Sequence, residues 1–189
     1  MSLYLDNVNA ICSMLESGQI VLCPTDTIWG ISCDATNKTS VDKIYQIKKR
    51  DRDKPLILLV DSLELLRRYA TNIHPRVEDL LVHYTKPLTV IHKASSHVPE
   101  FLINKDKTIA IRLTQNPLLK EIISSLKRPI ISTSANVQGE KSPVGYHDIS
   151  PDIVGQVDYV FQSNRDKSSE ASASQIIKYT PEGELIFIR

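Results

Sequence analysis

The densest group of chemically capable side chains is Lys48-Lys49-Arg50-Asp51-Arg52-Asp53-Lys54, five cations within seven residues. Adjacent ammonium and guanidinium groups can grip a polyphosphate and neutralise a departing pyrophosphate. The same run, partly balanced by its two aspartates, also suits a solvated loop at a helix C-terminus, where cations are favoured. A second feature is Ser132-Thr133-Ser134-Ala135-Asn136, four short hydrogen-bonding side chains in five positions directly after a strand pattern. A third is Pro24-Thr25-Asp26-Thr27, again polar and again at a strand end. Turns and helix caps account for either one taken alone. Together they suggest a shared pocket, because ligands of open α/β sheets sit beyond strand ends.

Several other chemistries are excluded. The six glycines, Gly18, Gly30, Gly139, Gly145, Gly155 and Gly183, spell neither a dinucleotide fingerprint nor a Walker loop. The five histidines show no H-E-x-x-H spacing, and no G-x-S-x-G elbow marks a serine nucleophile. Cys12, Cys23 and Cys33 never form C-x-x-C and read as buried thiols. No protein-held metal is expected. Lys+Arg total 23 against 22 Asp+Glu, so any anion site must be local, and a dedicated nucleic-acid coating protein is disfavoured. No apolar run approaches the roughly eighteen residues of a membrane span, and MSLYLDNVNA has no leader pattern, so the chain reads as cytoplasmic.

The elements that must position these residues are legible as periodicities. Asp6 is the expected cap of a helix with Val8, Ile11, Cys12 and Leu15 on one face and Gly18 as its stop. Strands are predicted over 19–23 and 28–33, separated by the polar corner. Over 39–49 a helix carries Val41, Ile44, Tyr45 and Lys48 on one face, and a strand buried on both faces follows at 56–60. Helices are predicted near 62–69 and 75–84, and strands near 88–92 and 108–113. Asn116 and Pro117 open a helix whose stripe is Leu118, Leu119, Ile122, Ile123 and Leu126. A strand over 129–132, a loop over 133–146, a helix near 147–154 and a strand at 157–161 lead to Ser/Asp/Lys-rich residues 163–173. A terminal hairpin then pairs 174–179 with 184–188 around Thr180-Pro181-Glu182-Gly183. Charged residues make up 24% and hydrophobic ones 41%, which permits a real core and predicts one α/β domain over 1–189.

The ordered set Pro24-Thr25-Asp26-Thr27-x-x-Gly30, Lys48-x-Arg50-x-x-x-Lys54-Pro55-Leu56, Thr108-x-Ala110-x-Arg112 and Ser132-Thr133-Ser134-Ala135-Asn136 resembles the YrdC family of threonylcarbamoyl-AMP synthases. The likeness runs nearly end to end. It implies an open, twisted, mixed parallel/antiparallel sheet with flanking helices around a concave pocket, the YrdC/RibB-like architecture. The activity implied is that of a nucleotidyltransferase joining L-threonine, bicarbonate and ATP into threonylcarbamoyl-adenylate, with pyrophosphate released. Other proteins then transfer the threonylcarbamoyl group to tRNA.

Position by position, the resemblance implies that Lys48, Arg50 and Lys54 hold the triphosphate, with Lys48 and Arg50 catalytic. Thr108, Ser134, Asn136 and Ser142 resemble nucleotide-site residues, and Arg189 would close over the nucleotide. Thr27, Arg112, Ser132 and Ser174 resemble the threonine-binding set, with the Arg112 fork matching a carboxylate. Mg²⁺ would arrive with ATP. The chain departs from the family at Asp51, where a proline is frequent, at Tyr84-Thr85-Lys86-Pro87, before Ser174 and at Leu59. A paralogous branch altered at the Lys-x-Arg and Ser-x-Asn positions is disfavoured, since Lys48, Arg50, Ser134 and Asn136 are all present. A module binding tRNA or double-stranded RNA is the principal alternative. A hydrogenase-maturation type of carbamoyl-adenylate former would bring extra domains and cysteine clusters.

Overall fold

The computed structural model describes residues 5–166, 173–180 and 184–188. Arg189, residues 167–172 and residues 181–183 of the expected hairpin turn lie outside them. In chain order the elements are α1 (Val8–Glu16), β1 (Val21–Cys23), β2 (Gly30–Asp34), α2 (Lys38–Ile47), β3 (Ile57–Val60), α3 (Leu63–Tyr69), β4 (Ala70–Thr71) and α4 (Pro75–His83). They continue with β5 (Leu88–Ala94), β6 (Thr108–Leu113), α5 (Pro117–Leu126), β7 (Ile130–Ser134), α6 (Pro151–Val154), β8 (Tyr159–Val160), β9 (Gln175–Tyr179) and β10 (Leu185–Phe187).

The strands form one sheet in the order β10-β9-β5-β6-β3-β7-β2-β1-β8, with β4 added to β5. Three pairings, β3 with β6, β5 with β9 and β1 with β8, are parallel, and the others are antiparallel. The expected mixed sheet is therefore present. Strand alternation divides its faces. Ile31, Cys33, Leu58, Val60, Val90, Ile109, Ile111 and Ile131 are buried in the apolar core. Their alternates Ile57, Ile91, Ala110 and Ser132 line a cavity. The helices flank the sheet: α1 packs on α5 and β2, and α3 and α5 on β3.

Local chemistry explains most boundaries. The Asn116 side chain accepts from the Leu119 N–H at 3.1 Å, Pro117 fits the first turn, and Lys127 leaves α5 in the left-handed region at φ 55°. Three expectations need correction. Asn7, not Asp6, caps α1, accepting from Ala10 N–H at 3.0 Å. Asp6 is instead fully buried and accepts from the N–H groups of Gln162 and Ser163 at 2.8 and 3.0 Å and from the Tyr159 hydroxyl at 2.9 Å. The helix expected over 147–154 is split into a 3-10 turn, Tyr146–Asp148, and α6, because Pro151 holds Ser150 extended at ψ 132°. Finally, β7 continues to Ser134, so Thr133 and Ser134 extend the strand expected over 129–132 and are not part of the loop.

Candidate active site

The cavity floor is a row of directly paired residues crossing the middle of the sheet. Ile91 faces Ala110, Ala110 faces Ile57, Ile57 faces Ser132 and Ser132 faces Ser32. The neighbouring row runs through Thr89, Arg112 and Leu59. Above this floor lies a cavity of about 350 Å³, a volume at the small end of ligand sites. Among the described residues its walls carry three cations, Arg50, Lys54 and Arg112, the hydroxyls of Thr25, Thr27, Ser132, Ser134, Ser142 and Ser174, and no carboxylate. Such a lining favours an anion surrounded by short hydrogen-bonding groups.

Gly30 makes the close approach of β2 to β7 possible. A Cβ there would collide with the Ser132 hydroxyl and meet the Thr133 carbonyl oxygen and Thr25 methyl at 3.3 Å. The corner before it is held by Asp26, which points out of the cavity. Its Oδ1 accepts from the N–H groups of Gln115 and Asn116 at 3.2 and 3.1 Å and from the Thr114 hydroxyl. With Asp26 anchoring the start of α5, Thr25 and Thr27 face inward. The Thr25 hydroxyl donates to the Ile28 carbonyl at 2.7 Å, accepts from Thr27 N–H at 3.1 Å and lies 3.0 Å from the Thr27 hydroxyl.

Arg112 is the buried cation of the site, 7% exposed. Its Nε donates to Thr89 at 3.1 Å, Nη1 to Thr27 at 3.3 Å and Nη2 to Ser174 at 2.7 Å. Thr89 and Ser174 are themselves 2.9 Å apart. Hydroxyls from β5, from the 24–27 corner and from the approach to β9 thus fix the plane of the guanidinium. Thr89 was missed in the sequence, although alternation along β5 puts this polar residue beside Ile91 and opposite Arg112. Ser32, which donates to Ser132 at 3.0 Å, was also missed.

The cationic run divides by position. Lys48 caps α2 and is 1% exposed. Its Nζ donates to the carbonyls of Ser134 and, at 2.6 Å, Asn136, so it stands behind the cavity wall and does not line it. Burial, with the charge of Arg50 adding to it, brings the Lys48 pKa down to about 8. Lys49 turns the chain through the left-handed region at φ 45°, and Arg50 and Lys54 then reach the cavity. Arg50 donates to the carbonyls of Lys54 and Pro55 at 3.2 and 3.0 Å.

Two more expected site residues lie off the cavity. Asn136 donates to the carbonyls of Glu140 and Val137 at 2.7 and 3.2 Å, closing the loop after β7. Thr108 shares a strand face with Ala110 and Arg112 but lines two adjoining cavities of about 530 and 660 Å³. Both meet the first at Ile91, and the smaller carries both signs of charge, Arg52 and Lys105 beside Asp53 and Asp106. Ser142 lines the first cavity, while Arg189 is outside the described residues. Among the described residues no group of three or more His, Cys, Asp or Glu could hold a metal, and no helix is long and apolar enough to cross a membrane.

Comparison with known proteins agrees with this architecture. A putative threonylcarbamoyl-AMP synthase of Methanocaldococcus jannaschii is 34% identical over 158 residues, covering 82% of this chain and 73% of the relative. A threonylcarbamoyl-AMP synthase of Vibrio parahaemolyticus is 30% identical over 183 residues, 92% of this chain and 99% of the relative. The crystal structure of P. abyssi Sua5 complexed with L-threonine superposes with a TM-score of 0.86 at 26% identity, over 96% of this chain and 53% of that longer one. The family model for Sua5, YciO and YrdC, described as telomere recombination, matches residues 13–189. The chain belongs to the Sua5/YciO/YrdC family.

Proposed function

We propose that this chain is an L-threonylcarbamoyladenylate synthase, a nucleotidyltransferase that supplies an activated threonylcarbamoyl group for tRNA modification. The observation that carries the reading is the charge of the cavity, three cations and no carboxylate among the described lining residues, in a chain similar to threonylcarbamoyl-AMP synthases over most of its length. ATP, entering as its Mg²⁺ complex, would set its phosphates against Arg50 and Lys54, with its nucleoside end toward Ser134 and Ser142. Threonine would present its carboxylate to Arg112 and its polar atoms to Thr27, Ser132 and Ser174.

The chemistry needs no covalent enzyme intermediate. The threonine amine attacks the carbon of bicarbonate, forming a C–N bond and releasing water, and yields a carbamate. A carbamate oxygen then attacks the α-phosphorus as the bond from that phosphorus to the bridging oxygen breaks, and pyrophosphate leaves with the electron pair. The protein's work is to bring two anions together, to exclude water and to neutralise the leaving group. Lys48 serves this scheme by fixing the Ser134–Asn136 carbonyls and keeping a positive charge near Arg50.

Purified protein with ATP and Mg²⁺, with L-threonine and bicarbonate each present or omitted, tests the reading directly. Pyrophosphate and the adenylate product should appear together and only when threonine and bicarbonate are both present. RNA affinity that falls steeply with salt, combined with no threonine-dependent turnover, would instead favour an RNA-binding module.

A further inference from the structure

The two walls of the cavity come from segments 87 residues apart, joined by a reciprocal side-chain contact. The backbone N–H of Asp51 donates to Oε1 of Gln138 at 3.2 Å, and Nε2 of Gln138 donates to Oδ2 of Asp51 at 2.9 Å. The backbone N–H of Gln138 also donates to the Lys48 carbonyl at 2.9 Å. Gln138 therefore grips the chain on both sides of Arg50. The same Asp51 oxygen lies 3.7 Å from the Lys54 ammonium, so one carboxylate touches both the tether and a second cavity cation.

We propose that Asp51 and Gln138 form a clip that positions Arg50 and Lys54 for the phosphates of ATP. This rests on the synthase reading above. Asp51 is 70% exposed at its side chain, so its hydrogen bonds with Gln138 add little to folding stability. The contribution is geometric. A 50–54 segment with more freedom would have to be ordered further by each incoming nucleotide, and the clip restrains it in advance. Asp51 and Gln138 act through Arg50 and Lys54, as positioning residues, and threonine binding on the Arg112 side is untouched.

The test compares wild type, Gln138→Ala and the double variant Asp51→Asn/Gln138→Glu. Gln138→Ala removes the clip without changing charge. The double variant keeps wild-type net charge and rebuilds the contact in reversed polarity, with the amide of the new asparagine donating to the new carboxylate. Mg-ATP affinity by calorimetry and KM values by pyrophosphate release are measured for each. Gln138→Ala should weaken ATP binding and raise its KM about three- to tenfold, the range of one or two lost hydrogen bonds. Its kcat, threonine KM and melting temperature should stay near wild type, and the double variant should recover most of the ATP affinity. Wild-type ATP affinity in Gln138→Ala, or a double variant no better than it, overturns the clip. If wild type shows no threonine-dependent turnover but the ATP affinities keep this order, the synthase reading falls and the clip stands. If wild type does not bind Mg-ATP, both fall.

Discussion

Arg112 on β6 donates to the hydroxyl of Thr89 on β5 at 3.1 Å, and these two residues face each other directly in the ladder. The pairing makes Thr89 the support of the cation assigned to the threonine carboxylate. Thr89→Val keeps the shape but leaves a buried charged donor short of a partner, at a stability loss of about 1–3 kcal/mol. Urea denaturation should report that loss, and the KM for threonine should rise about tenfold or more while the KM for ATP changes little. Thr89→Ser, which keeps the oxygen, should restore both. A valine variant with an unchanged threonine KM would detach Thr89 from the site.

Gly30 offers a steric test of the same wall. The alanine methyl would collide with the Ser132 hydroxyl and press on the Thr133 carbonyl oxygen. Serine can yield only by rotating or by pushing β2 from β7, and interiors resist such shifts at about 1–3 kcal/mol. Gly30→Ala should therefore lower kcat/KM for threonine about a hundredfold while circular dichroism stays that of the wild type. Pairing it with Ser132→Gly, which vacates the space, should recover stability but not threonine affinity.

Lys48 predicts a pH dependence of stability. Burial holds its pKa near 8 in the folded chain, against an ordinary value of 10.5 in the unfolded one. Between those values the unfolded state binds more protons, so this group's contribution to stability rises with pH. Below pH 8 both states are protonated and the penalty of burying the ammonium is carried in full. Urea denaturation of wild type and Lys48→Met at pH 7, 8, 9 and 10 isolates the group. The difference should be flat up to about pH 8 and then shift in favour of wild type, by at most about 1.4 kcal/mol per pH unit. A difference flat throughout would mean that the ammonium is not held as described.

How far the sequence carried this picture depends on whether a signal is local. α5 was readable because its cap, its proline and its apolar stripe lie within eleven residues, Asn116 to Leu126. Lys48 was readable in part, since helical spacing placed it on the buried face with Val41, Ile44 and Tyr45. Of the three cations the resemblance assigned, Arg50 and Lys54 line the cavity and Lys48 does not; the turn at Lys49, which separates them, left no mark in the local pattern. The burial of Asp6 depends on residues 156 and 157 positions away. Thr133 and Ser134 read as loop because small hydroxyl residues favour turns. Here β2 and β3 flank the strand, and Ser32 donates to the Ser132 hydroxyl.

Asp26 gives the last prediction, because its role is purely to aim its neighbours. Its Oδ1 collects two N–H groups and the Thr114 hydroxyl just before α5, binding the 24–27 corner to residues 88 to 90 positions away. Asp26→Ala strands those donors and releases the corner that carries Thr25 and Thr27. Stability should fall by about 2 kcal/mol, and threonine affinity should fall further than the nucleotide affinity. Asp26→Asn retains an acceptor oxygen at the same place, so it should preserve most of both. Were the asparagine variant as damaged as the alanine one, the negative charge itself, and not the acceptor geometry, would be what the corner requires. Calorimetric titration of threonine into each variant, read beside its melting curve, separates the two.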